Sequence, residues 1–260
     1  MIKCEDFYQA CKKYNLTFFS GVPDSTFKSW MMFLNENKEK ITNIPTVNEC
    51  EAVAVCTGYH LATGKFGVLY MQNSGFGKTV NPLTSLCDPK VYSIPILLLI
   101  GWRGQAGIKD APQHHKMGPM TIPLLEDLEI PYEIIPDDSN ALEKTLDKAT
   151  KLMKVEKRPF ALVVKKGIFE KLEDIKENIS IPSREDAIKA VVNSLEGNEI
   201  IVSTTGKTSR ELFENSKAKN HDFYNIGAMG CAQSIGLGIA LNKKDKKVFV
   251  LDGDGSILMQ

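Results

Sequence analysis

The alternation of short apolar runs with longer amphipathic stretches constrains the fold of this chain more than any other feature. Apolar runs separated by helical patterns are typical of a parallel sheet whose strands are joined by helices. One helix pattern carries Trp30 and Met31 on its apolar side, and we interpret both as core residues. The predicted strands span residues 16–21, 66–72, 95–101, 132–135 and 159–165, and the predicted helices between them include 26–37, 49–62 and 140–155.

A charged, irregular segment at residues 170–182 separates two such alternating regions. The sequence therefore predicts two doubly wound parallel-sheet α/β domains, residues 1–168 and 183–260, joined by a linker at 169–182. The chain ends at Gln260, where a further helix should begin, and we expect the second domain to be truncated at its C-terminus. In this domain the predicted helices are 183–195, 208–216 and 231–241, and the predicted strands are 199–203, 222–226 and 247–251.

The charge balance and the apolar content bear on possible partners. Lys and Arg together number 32, as do Asp and Glu, so there is no basic excess and no nucleic-acid partner is expected. The longest apolar run, 94–100, is interrupted by Pro95 and is too short to span a membrane. Residues 1–6 lack the apolar core of a signal peptide. The six cysteines have no metal-ligand spacing, which predicts reduced thiols and a cytoplasmic location.

Glycines and polar residues follow several predicted strands, at the edge where open α/β sheets bind ligands. Residues 21–25 open a helix, and their local pattern favours a simple N-terminal cap. Glu49 and Glu51 begin a helix rich in small residues, either as partners of its dipole or as a buried catalytic carboxylate. Residues 72–78 form a glycine-rich turn suited to hold a phosphate on backbone N–H groups, although many such turns bind nothing.

A basic segment follows the predicted strand 95–101. It contains Arg103, Lys109, His114 and His115 within a short irregular stretch. Two interpretations are equally open, a solvated surface loop and a pocket for an acidic substrate.

The last predicted strand places Asp254 between Gly253 and Gly255. Glycines on both sides let the backbone approach a diphosphate, and the carboxylate offers a hard oxygen ligand to Mg²⁺. Residues 227–230 precede a helix with further glycines, which also favours close approach. Taken alone, a Gly-Asp-Gly sequence would be interpreted as an ordinary turn rather than as a binding site.

Taken together and in this order, these stretches resemble the thiamine diphosphate-dependent decarboxylases. Residues 253–256, Gly-Asp-Gly-Ser, match the start of that family's diphosphate motif, and the chain ends before the Asn that closes it. Residues 58–64, Gly-Tyr-His-Leu-Ala-Thr-Gly, match the end of the helix that follows the family's catalytic glutamate. Within the family, the sequences at 21–25, 72–75, 103–114 and 205–212 are most similar to phosphonopyruvate decarboxylases, and next to sulfopyruvate decarboxylases.

The resemblance implies a thiamine diphosphate-binding fold, with thiamine diphosphate and Mg²⁺ as cofactors. Glu49 would be the carboxylate that activates the cofactor, and His114 the group that transfers protons. Asp254 would bind Mg²⁺, and Met229 would support the cofactor between its two rings. The implied substrate contacts are Ser25, Arg103, Lys109 and His115, and the implied cofactor contacts are Pro23, Asn73, Gly206, Thr208, Ala228, Met229, Gly253, Asp254, Gly255 and Ser256.

The resemblance also implies a reaction. It is the decarboxylation of 3-phosphonopyruvate to phosphonoacetaldehyde and CO2, through an ylide and then an enamine of the cofactor, in phosphonate biosynthesis. A homo-oligomer with sites shared between subunits is implied as well. Two alternatives stay open: a decarboxylase of sulfopyruvate or another 2-oxo acid, and a non-catalytic module that only binds the cofactor.

Overall fold

A computed structural model describes residues 1–172, 181–217 and 219–260 of the chain. The chain divides into two compact units, Met1–Asp174 and Ile175–Gln260. The division falls within the predicted linker 169–182, most of which lies outside the described residues.

The first unit is built on one parallel sheet of six strands in the order β2-β1-β3-β4-β6-β5. Successive side chains of β3 and its neighbours alternate between two separate hydrophobic clusters, so the sheet is buried on both faces. The strands are β1 Phe18–Gly21, β2 Thr42–Pro45, β3 Gly67–Gln72, β4 Ile96–Gly101, β5 Tyr132–Ile134 and β6 Phe160–Val164.

Three helices cover each face of this sheet. Those on one face contribute Phe7, Trp30 and Leu146 to the first cluster, whereas those on the other contribute Val53 and Phe76 to the second. The first group consists of α1 Cys4–Lys13, α2 Lys28–Glu36 and α6 Ser139–Glu156, and the second of α3 Glu49–Thr63, α4 Asn73–Pro82 and α5 Met117–Asp127.

The second unit contains a smaller parallel sheet, with three strands in the order β8-β7-β9 among the described residues. Its core includes Ile188, Ile201 and Leu212. The strands are β7 Ile200–Ser203, β8 Phe223–Tyr224 and β9 Val248–Leu251, and the helices are α7 Arg184–Ser194, α8 Lys207–Asn215 and α9 Ala232–Asn242.

The predicted α/β class and the two parallel sheets are confirmed, and each predicted strand is present within a few residues of its expected ends. Trp30 is fully buried, as expected of a core residue. The sequence pattern missed β2, because this edge strand is mostly exposed and has no apolar run. The predicted passage from strand to helix at residues 72–78 is present, with β3 ending at Gln72 and α4 beginning at Asn73, and its binding of a phosphate stays a prediction.

Four of the six cysteines are buried, and none of the six is joined in a disulfide. Burial raises the pKa of Cys4, Cys56 and Cys87 to about 12, which makes them unreactive at neutral pH. In the described ranges, no helix is both long enough and apolar enough to cross a membrane.

Candidate active site

Glu49 is the first residue of α3 and one of the few buried carboxylates, with only 5% of its surface exposed. Asn48 caps this helix, and its side-chain oxygen accepts a hydrogen bond of 3.0 Å from the backbone N–H of Glu51. The space for the Glu49 carboxylate is left by Gly75 of α4, because a Cβ atom there would lie 2.1 Å from Oε1. Any larger residue at position 75 would therefore displace the carboxylate.

The second carboxylate oxygen of Glu49, Oε2, is buried and has no hydrogen-bond partner within the described part of the chain. Buried carboxylates are normally hydrogen-bonded, so an open acceptor of this kind is typical of a functional site. Glu51 differs, because it is exposed and its Oε2 accepts a hydrogen bond of 3.2 Å from the N–H of Val47. The structure thus distinguishes two glutamates that local sequence left equivalent.

Arg103 lies after β4 and connects two loops at the carboxyl edge of the sheet. Its Nε and Nη2 donate to the Asp110 carboxylate at 2.8 and 2.5 Å, and its Nη1 donates to Ser25 Oγ at 2.9 Å. The backbone N–H groups of Gly104 and Ala111 donate to the same carboxylate at 2.9 and 2.8 Å. The Arg103 guanidinium, with these N–H groups, holds the pKa of Asp110 well below its usual range.

Asn73, the first residue of α4, anchors this arrangement. Its amide nitrogen donates to the carbonyl of Arg103 and to Thr121 Oγ1, both at 2.8 Å, and its oxygen accepts from the N–H of Arg103 at 3.2 Å. Asn73 is fully buried. Its side chain therefore positions the Arg103 loop through bonds to protein groups.

A second set of hydrogen-bonded side chains joins the end of β1 to the end of β3. The Gln72 side chain donates to Asp24 Oδ1 and accepts a hydrogen bond of 2.6 Å from Ser74 Oγ. Asp24 is buried and caps the turn that follows it, since its Oδ2 accepts from the N–H of Thr26 at 2.8 Å. Pro23, just before it, is exposed. The N-terminal cap expected at residues 21–25 is therefore present, and it leaves Ser25 free to face Arg103.

His114 lies on the same segment as Arg103 and is buried. Its Nδ1 is buried, and no residue that the structure describes forms a hydrogen bond with it. Burial lowers the pKa of His114 below its usual range, and the positive charge of Arg103 lowers it further. Lys109 and His115, by contrast, are exposed. The structure brings Ser25, Arg103 and His114 to one edge of the sheet, but does not place the other two with them.

In the second unit, Ser256 connects the three loops that carry the predicted cofactor contacts. Its hydroxyl lies 3.0 Å from Thr204 Oγ1, which follows β7, and accepts a hydrogen bond of 3.0 Å from the N–H of Gly230, just before α9. Ser256 itself follows β9 and is 2% exposed. Its side chain is thus engaged with protein atoms and holds the loops together.

The groups left exposed on these loops are the ones with ligand-binding chemistry. Gly206 precedes α8 with a φ of 81°, a conformation that favours glycine, and is exposed. Asn225 fixes the loop before α9, because its side chain donates to the Ala228 carbonyl at 2.7 Å and accepts from the Ala228 N–H at 3.0 Å. Met229 and Asp254 are exposed, and Thr208 is half-buried.

Metal-binding chemistry is sparse on these loops. Where the chain is described, no group of three or more His, Cys, Asp or Glu side chains is arranged to hold a metal ion. Asp254 offers an exposed carboxylate. Oδ2 of neighbouring Asp252 is buried and has no hydrogen-bond partner among the described residues.

Sequence reasoning missed several residues that shape these sites. Asp110 was noted only as part of the segment 103–114 and was given no role. Gln72 and Thr204 were given no role either, because each bonds to a segment far from it in sequence.

Two family models match the chain. The model described as "Thiamine pyrophosphate enzyme, N-terminal TPP binding domain" matches residues 4–122 in the first unit. The model described as "Thiamine pyrophosphate enzyme, C-terminal TPP binding domain" matches residues 204–260 in the second. Thiamine pyrophosphate is another name for thiamine diphosphate.

Curated relatives and a solved structure show the same likeness. A phosphonopyruvate decarboxylase of Streptomyces hygroscopicus is 34% identical over 278 residues, which cover 100% of this chain and 68% of the relative. A sulfopyruvate decarboxylase subunit alpha of Methanococcus maripaludis is 40% identical over 150 residues, 58% of this chain and 82% of the relative. The crystal structure of benzoylformate decarboxylase from Polynucleobacter necessarius shares the fold, with a TM-score of 0.52 and 15% identity over 81% of this chain and 40% of that chain.

Replacing Asp110 by Asn is expected to lower the free energy of unfolding by about 2 kcal/mol at neutral pH, because charge-assisted hydrogen bonds to Arg103 are lost. The pKa of Asp110 is lower in the folded protein than in the unfolded chain. This stabilisation is therefore complete above the ordinary Asp pKa of about 4 and is lost as the pH falls through the lower folded value. Urea-induced unfolding at a series of pH values measures it.

The matched control is Asp147→Asn, which removes an exposed partner of Lys151 and should cost about 0.5 kcal/mol or less. A deficit of Asp110→Asn that stays constant from neutral pH into strong acid would contradict the assignment.

Proposed function

The chain belongs to the thiamine diphosphate-dependent decarboxylases, and we propose that it converts 3-phosphonopyruvate to phosphonoacetaldehyde and CO2. The family resemblance seen in the sequence is thereby confirmed. The observation that carries the proposal is the buried Glu49 carboxylate, with one oxygen open, at the start of α3. The choice of 3-phosphonopyruvate as substrate is suggested by the phosphonopyruvate decarboxylase whose match covers the whole chain.

The residues present fit thiamine diphosphate. Its aminopyrimidine ring needs a carboxylate that accepts a hydrogen bond in a buried place, and Glu49 Oε2 is buried and has no hydrogen-bond partner in the described residues. Its diphosphate needs backbone N–H donors that a ligand can reach, and Gly206 and Gly255 are exposed with open space beside them. Mg²⁺ usually keeps waters and binds phosphate together with one or two carboxylates, so Asp254 would hold it beside the diphosphate.

When bound, thiamine diphosphate supplies an electron sink for the electron pair left behind by CO2. Glu49 Oε2 would accept and return a proton on the pyrimidine side of the cofactor. The reaction consumes one proton for each CO2 released, and His114 would deliver that proton to the carbon that becomes the aldehyde. Because its pKa is lowered, His114 is mainly neutral at neutral pH and must take up this proton during the cycle.

The substrate would bind where β1 and β4 end. Ser25 and Arg103 present a hydroxyl and a guanidinium 2.9 Å apart, suited to the two acidic groups of the substrate. Asp110 orients the guanidinium and offsets part of its charge. Lys109 and His115 are exposed on the same segment and remain proposed secondary contacts.

A second candidate reaction is the decarboxylation of sulfopyruvate, because a sulfopyruvate decarboxylase subunit alpha is 40% identical over 58% of this chain. Release of CO2 from phosphonopyruvate, sulfopyruvate and pyruvate, with thiamine diphosphate and Mg²⁺ added or omitted, distinguishes the candidates. Phosphonopyruvate should give the highest kcat/KM. Turnover of sulfopyruvate alone would favour the second candidate, and calorimetric binding of thiamine diphosphate without any turnover would indicate a module that only binds the cofactor.

We place the reaction in phosphonate biosynthesis in the cytoplasm. The product phosphonoacetaldehyde retains the carbon–phosphorus bond of the substrate, and the six free thiols fit a reducing compartment. If ³¹P NMR showed the same phosphonate levels in cells that lack the gene as in cells that have it, the proposed place in phosphonate biosynthesis would be wrong.

The Glu49→Gln variant is expected to fold and bind thiamine diphosphate normally but to lose at least about a hundredfold in kcat. The amide keeps the shape of the side chain but cannot take up the proton. Steady-state kinetics, with calorimetry for cofactor binding, measure both effects. The matched control is Glu51→Gln, which changes only an exposed helix-capping group and should retain activity. The reverse pattern would assign the catalytic carboxylate to Glu51.

The Arg103→Ala variant should lose more activity toward phosphonopyruvate than toward pyruvate, because only phosphonopyruvate has a second anionic group. Loss of a charge-assisted contact costs about 2–3 kcal/mol, roughly thirty- to hundredfold in kcat/KM. The ratio of kcat/KM for the two acids is the measurement, and Lys116→Ala, at an exposed lysine of the same segment, is the control. An equal loss for both acids would show a structural role, and no loss would shift the assignment to Lys109 and His115.

We also propose that the protein is a homo-oligomer whose sites combine Glu49 of one subunit with Asp254 of another. Glu49→Gln and Asp254→Asn should each be inactive, but a dimer of one chain of each keeps one intact site. Equal amounts of the two variants, unfolded and refolded together, should therefore regain about one quarter of wild-type activity. A mixture that stays inactive, or a fully active monomer in light scattering, rejects the shared site.

A further inference from the structure

Lys78 is the cation that faces the buried Glu49 carboxylate. Its Nζ lies 3.8 Å from Glu49 Oε2, and the two side chains are 34% and 7% exposed. This distance is too long for a hydrogen bond. Lys78 therefore offsets the negative charge of Glu49 while leaving Oε2 open as an acceptor.

The backbone around Lys78 is tied to the start of α3. The Sγ of Cys50, next to Glu49, donates to the Lys78 carbonyl at 2.9 Å. Gly75 and Lys78 are three residues apart in α4, so they lie on the same side of that helix. One turn of α4 thus provides both the space for the Glu49 carboxylate and its counter-charge.

A lysine ammonium close to a buried carboxylate attracts it, and this attraction favours the orientation in which the carboxylate faces the cation. A cation in direct hydrogen-bond contact would occupy the oxygen that a bound ring nitrogen needs. Glu51, the other acid at the start of α3, is exposed and bonded to the N–H of Val47, and so does not take this place.

We infer that Lys78 is a positioning residue for Glu49, which orients the buried carboxylate so that Oε2 faces a cation and still lacks a hydrogen-bond donor within the described residues. The inference rests on the proposed function, because it assigns a purpose to that open oxygen. It does not place Lys78 in contact with the substrate.

The first test is a double-mutant cycle in urea-induced unfolding of the cofactor-free protein, with Lys78→Met, Glu49→Gln and both together. Lys78→Met should lower the folding equilibrium constant at least about threefold more when Glu49 is present than when Gln replaces it. Absence of this coupling would overturn the inference, because the two groups would then not interact in the folded protein.

The second test compares Lys78→Met with Lys78→Arg in the loaded enzyme. Lys78→Met should lower kcat about tenfold and leave KM within about twofold, because the substrate is not contacted. Lys78→Arg keeps the charge and should restore most of kcat. The control is Lys90→Met, which removes an exposed lysine elsewhere in the unit and should have no effect.

A kcat unchanged by Lys78→Met, or a loss that Arg does not restore, would overturn the positioning role. Failure of the proposed function would look different, because wild-type protein would release no CO2 from any of the 2-oxo acids. The unfolding cycle does not depend on turnover, so its coupling would still decide whether Lys78 holds the Glu49 carboxylate.

Discussion

Burial of both faces of the six-stranded parallel sheet is the constraint on which the rest of the first unit depends. Successive side chains of β3, β4 and β6 enter different hydrophobic clusters, so helices must cover the sheet on both sides. Each strand then ends at the same edge, where the loops that follow β1 and β4 meet the start of α4, which follows β3. Ser25, Arg103 and Asn73 come from these three places, and Arg103 is hydrogen-bonded to both of the others.

Hydrogen bonds from side chains to backbone groups hold these loops in place. Asn73 bonds both backbone polar groups of Arg103, and Asp110 accepts from two backbone N–H groups as well as from the guanidinium. Ser256 has a similar role in the second unit, where it bonds the N–H of Gly230. Residues such as these support the site through bonds to the protein itself, and such support keeps binding groups at fixed positions.

The charges of the first unit's site are offset by specific partners. Arg103 pairs with Asp110, Glu49 faces Lys78, and the lowered pKa of His114 keeps its imidazole mainly neutral. The proposed reaction turns a charged carboxylate into neutral CO2, and a site with few uncompensated charges and little water favours that change. The same arrangement leaves single donors and acceptors open, at Glu49 Oε2 and at His114 Nδ1.

The sequence by itself determined the fold class, both parallel sheets and the family, because two-sided burial and glycine-flanked motifs leave local signatures. It did not show the edge strand β2, whose exposed residues have no apolar pattern, or the start of α4, where Gly75 and Gly77 weaken the helix signal. Only the tertiary structure decided that Asp110 orients Arg103 and that Lys78 faces the buried Glu49. These contacts join segments whose distance depends on how the helices pack on the sheet, and no local pattern encodes that distance.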